Sequence, residues 1–271
     1  MTKLICSDFD RTIYFRDDEE LTHKNFLAIQ RWRHNGNIFA VATNRSFVSV
    51  KRQLPEFKNY FDYLILDSGS TIFNAEGEIF WSTTFSETTL EELFKITREL
   101  PEQPVITFFN ATAEDFSFEP LEKMTKMRFW FKDYNNGLVS LDIVKTINEK
   151  TFLTKFDSLT DNKSVLGGYI AFLDIIPETA GKEVAADKLA EILGIEKGQV
   201  FTIGDGENDI SMIRKFNGFA IKDSSAAKFD LQFNKVESLE KLIDEKNRRI
   251  NAYYSRWSNR KRWKISFSTR S

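Results

Sequence analysis

Asp8 and Asp10, two residues apart, and Asp205 and Asp209, almost two hundred residues later, are the side chains in this 271-residue chain best placed to do chemistry together. The first pair lies in Asp8-Phe9-Asp10-Arg11-Thr12, directly after the apolar run Leu4-Ile5-Cys6-Ser7. The second lies in Gly204-Asp205-Gly206-Glu207-Asn208-Asp209, directly after Val200-Phe201-Thr202-Ile203. Runs of this kind read as buried strands of a parallel sheet, and the carboxyl edge of such a sheet is where ligands bind. Within an extended segment, a spacing of two aims Asp8 and Asp10 the same way. Four carboxylates gathered at one edge repel one another unless a hard cation neutralises them, and an all-oxygen donor set implies Mg²⁺. A metal and a phosphate are the expected occupants.

Further polar residues stand at comparable places: Val41-Ala42-Thr43-Asn44-Arg45 follows another apolar run, and Lys182 opens a helical pattern. Taken in order, the four segments around Asp8, Thr43, Lys182 and Asp205 resemble the motifs of the haloacid dehalogenase-like superfamily, and within it the Cof-type sugar-phosphate phosphatases. Asp67-Ser68-Gly69-Ser70 stands where that branch usually has Asn-Gly-Ala after its third core strand. Each motif alone is weak. Asp-x-Asp-x-Thr is common in solvated turns, Thr43 could simply cap a helix, and Gly-Asp-Gly-x-Asn-Asp resembles a calcium loop, although it lacks the Glu at loop position twelve. Their conjunction, each at a strand end or helix start, carries the specificity.

The elements that must position these residues alternate as a parallel sheet requires. Thr22 reads as the N-cap of a helix with Phe26, Ile29 and Trp32 on one face and Gly36 at its end; strand 38–42, a helix stopping at Pro55, and strand 63–66 follow. Later come a helix from Lys182 to Leu193, closed by Gly194, and helices over 209–216 and 237–247. The expected fold is α/β: a doubly wound, mainly parallel, Rossmann-like sheet with an inserted α/β cap. The core takes 1–78 and 177–250, the cap 79–176, and a basic carboxyl-terminal tail 251–271. Once a core helix and strand are set aside, roughly a hundred of the residues between the second and third motifs remain, enough for a separate domain. The Cof-type branch inserts its cap there, whereas phosphoglucomutase-like members carry theirs earlier.

The resemblance implies a Mg²⁺-dependent phosphomonoester hydrolase acting on a small phosphometabolite, a sugar phosphate by expectation. Asp8 attacks phosphorus to form an aspartyl-phosphate and Asp10 serves as general acid and then base. Asp8, Asp10 (through its carbonyl), Asp205 and Asp209 surround the metal. Thr43, Asn44, Lys182 and Asn208 contact the phosphate, whose equatorial oxygens need donors as charge develops. Arg45 and Arg11 are candidate substrate contacts. Arg11 departs from the family, which nearly always has glycine after the second aspartate, where an unusual turn is made. Two alternatives stand beside this reading: a phosphotransferase or phosphomutase, and, suggested by Arg11 and the basic tail, a catalytically weak binding or regulatory member. Haloacid dehalogenation is disfavoured, since Asp10 would have no alkoxide to protonate.

Composition sets bounds. With 41% apolar and 29% charged residues the chain is globular. No apolar run of about 18 residues is present, so no membrane span is expected, and no basic segment followed by an apolar one opens the chain. The single cysteine, Cys6, reads as a small buried hydrophobe and suits a reducing cytoplasm. Net charge is −2, but residues 246–271 hold nine Lys or Arg and no acid, leaving 29 basic against 40 acidic residues elsewhere. Aromatic residues among those cations could grip a nucleic acid, but an acidic body is a poor polyanion binder, so no nucleic-acid partner is expected. His23 and His34 read as surface residues. The aromatic set Phe108, Phe109, Phe129, Trp130 and Phe131 reads as sheet packing rather than a substrate pocket. Oligomeric state is left open.

Overall fold

The computed structural model describes residues 1–100, 104–110, 124–147, 149–155 and 171–247. Along the chain run β1 (Leu4–Ser7), α1 (Glu19–His34), β2 (Ile38–Ala42), α2 (Phe47–Gln53), β3 (Tyr63–Leu66), β4 (Thr71–Asn74), β5 (Ile79–Ser82), α3 (Glu87–Glu99), β6 (Val105–Asn110) and β7 (Met124–Phe131). Then follow α4 (Tyr134–Val144), β8 (Lys150–Lys155), β9 (Ala171–Ile176), α5 (Lys182–Ile192), β10 (Val200–Gly204), α6 (Ile210–Phe216), β11 (Phe219–Ile221), α7 (Ser225–Phe229) and β12 (Asn234–Val236). Helix α8 occupies 239–247. The basic tail falls outside the described residues.

Eight strands form one sheet in the order β12-β11-β10-β1-β2-β3-β4-β5. All neighbours from β12 to β3 are parallel, and β4 and β5 extend the edge antiparallel. This is the doubly wound α/β arrangement, and β1 explains it residue by residue. Ile5 joins Trp32 and Ile29 of α1 and Leu242 of α8 on one face. Leu4 and Cys6, pointing the other way, join Ala185 and Leu189 of α5 and Met212 of α6. Each fully buried aliphatic side chain of this kind contributes roughly 1.5–3 kcal/mol.

A second sheet, β6-β7-β9-β8, is antiparallel throughout. Met127, Phe129 and Phe131 of β7, with Leu173 and Ile175 of β9, are buried against Leu90 and Leu93 of α3 and Val144 of α4. The alternate residues of β7 and β9, among them Arg128, Phe172 and Asp174, lie on the opposite face. Strand β5, which the expected boundary assigns to the insert, hydrogen-bonds to β4 in the large sheet.

One local expectation is corrected. Thr22 does not cap α1: Asp18 does, its side chain accepting from the Leu21 amide at 2.8 Å. A carboxylate caps as well as a hydroxyl and also complements the positive helix end. Thr22 sits a turn inside, its hydroxyl donating to the Phe15 carbonyl and accepting from the Phe15 amide. His23 and His34 are exposed, as read.

Candidate active site

The parallel register builds the site. Ser7 of β1 lies opposite Ile203 of β10 and Val41 of β2. The residues that follow these strands therefore emerge together: Asp8 after β1, Asp205 after β10 and Thr43 after β2. The Asp8 amide still donates to the Ile203 carbonyl at 2.9 Å, and the Thr43 amide to the Ile65 carbonyl, so the ladder fixes both backbones.

Asp8, Asp205 and Asp209 each offer a carboxylate oxygen within 4.8 Å of the others. Between them lies the Lys182 ammonium, 2.7 Å from Asp8 Oδ1 and 2.6 Å from Asp209 Oδ1, on a side chain 1% exposed. Lys182 opens α5, where a cation meets the positive helix end. Burial would lower its pKa, but the Asp209 and Asp8 carboxylates outweigh that and hold it above the ordinary value. Burial raises Asp8 well above the carboxylate range; Asp209, Asp205 and Asp10 add to the rise and Lys182 opposes it. Asp205 is pushed up to about 6, by burial first and then by Asp209.

The two downstream aspartates differ in what they hold. Asp209 is fully buried; Oδ1 accepts from Lys182, and Oδ2 accepts from the Asp205 and Gly206 amides at 3.1 and 2.9 Å. Oδ2 thus clasps the loop while Oδ1 holds the lysine, and Gly204 is needed beneath the loop, since a Cβ there would overlap the Asp209 carboxylate. Asp205 Oδ1 accepts from the Thr12 hydroxyl at 3.3 Å. Of the four aspartates expected around a cation, Asp10 stands apart. Its carboxylate is gripped by Arg45, Nε to Oδ2 and Nη2 to Oδ1, both 2.8 Å. That bond, more than the Asp10 and Asp8 charges, raises the Arg45 pKa despite burial.

The turn after Asp10 keeps a left-handed conformation although it carries a side chain: Arg11 has φ 61°, and its amide donates to the Tyr14 carbonyl. The Arg11 charge helps hold Asp205 down. Thr43 is 2% exposed, its hydroxyl accepting from the Arg45 amide. Helix α2 is capped by Ser46 instead, so the capping role is not Thr43's. Asn208 Nδ2 donates to Asn44 Oδ1 at 3.0 Å, tying the second and fourth motifs together.

These residues open onto a cavity of about 1060 Å³. Its far wall comes from the second sheet and α4: Phe109, Arg128, Tyr134, Phe152 and Phe172. Part of the aromatic set thus faces the cavity, contrary to the packing expectation. Phe109 lines it, whereas Phe129 and Phe131 are buried in the sheet core. Arg128 and Asp174, unread in the sequence, form a bidentate pair at 2.5 and 2.7 Å, with the guanidinium 3.8 Å from the Phe172 ring centre. The alternation of Lys126 and Arg128 with apolar residues in β7 was the available signal.

An all-oxygen cluster of partly desolvated carboxylates fits a hard divalent cation. No helix among the described residues is long and apolar enough to cross a membrane.

Among curated proteins, this chain is 23% identical to the 5-amino-6-(5-phospho-D-ribitylamino)uracil phosphatase of Escherichia coli, with 90% of this chain and 95% of that one covered. It is 25% identical to phosphoglycolate phosphatase 1 of Saccharolobus solfataricus, with 83% and 84% covered. A haloacid dehalogenase-like hydrolase from Bacillus subtilis superposes with TM-score 0.67 at 16% identity, covering 87% of this chain and 94% of that one. A subclass IIB sugar phosphatase of the same superfamily superposes with TM-score 0.63 at 18% identity, covering 90% and 95%. The family model for haloacid dehalogenase-like hydrolases matches residues 5–231. With the motifs assembled at one sheet edge, the chain belongs to the haloacid dehalogenase-like hydrolases, in their Cof-type branch.

Proposed function

We propose that the protein is a Mg²⁺-dependent phosphomonoesterase working through an aspartyl-phosphate on Asp8, with a small phosphorylated metabolite, a sugar phosphate by preference, as substrate. The observation that carries this reading is the convergence of Asp8, Asp205 and Lys182 on one point at the sheet edge. Curated relatives named as phosphatases and a structural neighbour named as a sugar phosphatase support it.

In this reading an Asp8 oxygen attacks phosphorus, and the ester P–O bond breaks as the new one forms. Asp10 gives its proton to the departing alkoxide, then takes one from the water that cleaves the acyl-phosphate, so both carboxylates return to their starting states. Lys182 and the Thr43 hydroxyl face the developing charge on the equatorial phosphate oxygens. Arg45 serves Asp10 by fixing the carboxylate at 2.8 Å and stands beside the position a phosphate would take. Asp8, Asp205 and the Asp10 carbonyl would hold the cation, with Asp209 holding Lys182 and the loop that carries Asp205. When bound, Mg²⁺ supplies Lewis-acid charge that offsets the carboxylates and polarises the phosphoryl group. We also propose a phosphatase core of 1–78 and 177–250, with β5 counted in it, and a cap formed by the rest of 79–176.

The left-handed Arg11 shows that the turn beneath Asp10 is made without glycine, which favours turnover over a purely binding role. The test is hydrolysis of an aryl phosphate with and without Mg²⁺, comparing wild type with Asp8→Asn. Metal-dependent release abolished by the substitution is expected; equal release by both proteins would overturn the assignment of Asp8.

A further inference from the structure

Three successive carbonyls of the loop after β2 are each held by a donor. The Ser68 amide donates to the Thr43 carbonyl at 3.1 Å and the Asp67 amide to the Arg45 carbonyl at 3.0 Å; both donors come from the turn after β3, within the large sheet's own domain. The middle carbonyl, Asn44, is held from the other sheet, by Lys126 Nζ of β7 at 2.6 Å. Lys126 has no solvent exposure. Its ammonium lies 3.4 Å from Asp67 Oδ1 and 3.9 Å from the Phe109 ring centre. Asp67 Oδ1 has no hydrogen-bond partner, and Oδ2 accepts from the Thr125 hydroxyl, also of β7.

A lysine this deeply buried is rare unless paired, and here its pairing crosses between the two sheets. A peptide unit is planar, so fixing the Asn44 carbonyl also fixes the amide of Arg45. That amide donates to the Thr43 hydroxyl, and the Arg45 side chain grips Asp10. The position of the second sheet is thereby transmitted to the hydroxyl and the guanidinium that serve the phosphate.

We infer that Lys126 is a positioning residue for phosphate transfer, a buried clasp through which the second sheet, when seated, sets the shape of the Thr43-Asn44-Arg45 loop. Asp67 neutralises the ammonium, and the Asn44 carbonyl receives its directional hydrogen bond. The inference rests on the phosphatase reading of the same site.

The test separates the structural role of the charge pair from its effect on the loop. Lys126→Met leaves Asp67 buried and unpaired, so it should melt well below wild type. In Lys126→Met/Asp67→Asn both charges are gone, and the melting temperature should return close to wild type. Turnover should not return. With an aryl phosphate and saturating Mg²⁺, kcat of the double variant should stay about tenfold to a hundredfold low, the scale of a misplaced catalytic group, with KM changed far less. A double variant that regains both stability and kcat would overturn the inference, reducing Lys126 to a packing residue. If wild type itself releases no phosphate, the phosphatase reading falls and takes the inference with it.

Discussion

The Lys182 ammonium and Asp8 Oδ1 lie 2.7 Å apart although 174 residues separate them in the chain. Asp209 Oδ1 accepts a hydrogen bond from the same ammonium at 2.6 Å, so a single buried cation keeps two carboxylates in place at a sheet edge. Replacing Lys182 by Met leaves both buried acids without their partner, a loss of about 3–5 kcal/mol. Urea unfolding in EDTA should show it, and kcat should fall about 10²–10³-fold, as when one charge-stabilising donor is removed.

Metal binding should be linked to pH through Asp205 and Asp8. Both have folded-state pKa values above those of the unfolded chain, Asp205 at about 6. A raised carboxylate resists ionisation only when folded, so metal-free stability should fall as pH rises from about 4 to 6, where the unfolded chain ionises freely. In the proposed reading, Mg²⁺ would remove that penalty by binding the ionised forms. Thermal melts should show little Mg²⁺ stabilisation at pH 4.5 and a clear one at pH 7.5, reaching about 2.7 kcal/mol at a hundredfold excess over Kd. Equal stabilisation at both pH values would contradict these shifts.

Gly69 has φ +93°, and a Cβ there would overlap the Gly181 carbonyl and the Lys182 amide. Gly69→Ala must therefore push the turn after β3 away from the start of α5. A loss of about 2–4 kcal/mol is expected from backbone strain and overpacking together. Denaturant titration measures it, and activity should drop with it because Lys182 begins that helix.

Arg11, at φ 61°, should accept glycine with little change in stability. Arg11→Val places a β-branched residue in a left-handed turn and should be about 1–2 kcal/mol less stable than Arg11→Gly. Comparing the two variants by chemical denaturation checks this.

Much of this arrangement is legible in the sequence because it depends on local signals. Short apolar runs ending in Asp8, Thr43 and Asp205 place those residues on one edge once the strands are parallel, whatever fills the intervening chain. The boundary of α1 was misread because Thr22 and Asp18 are both good caps, and only the contact of Thr22 with Phe15 decides between them. The pairing of Arg128 with Asp174 depends on β7 lying beside β9 instead of β8. That choice of neighbour is made by tertiary packing, and nothing local to either strand encodes it. Lys126 was hidden for the same reason, since its partners Asn44 and Asp67 belong to another sheet. The antiparallel pairing of β4 with β5 is not legible in the sequence because the expected start of the insert, residue 79, falls directly after the turn Ala75-Glu76-Gly77-Glu78 and so separates the two strands.

The central claim is that Asp8 carries the phosphoryl group during turnover. Sodium borohydride reduces an aspartyl-phosphate to homoserine, so the enzyme can be quenched with it during hydrolysis of an aryl phosphate in Mg²⁺ and the peptides examined by mass spectrometry. Homoserine at position 8, dependent on substrate and absent from Asp8→Asn, is the predicted result. Full-rate phosphate release with position 8 unmodified, or with the mark on another residue, would contradict it.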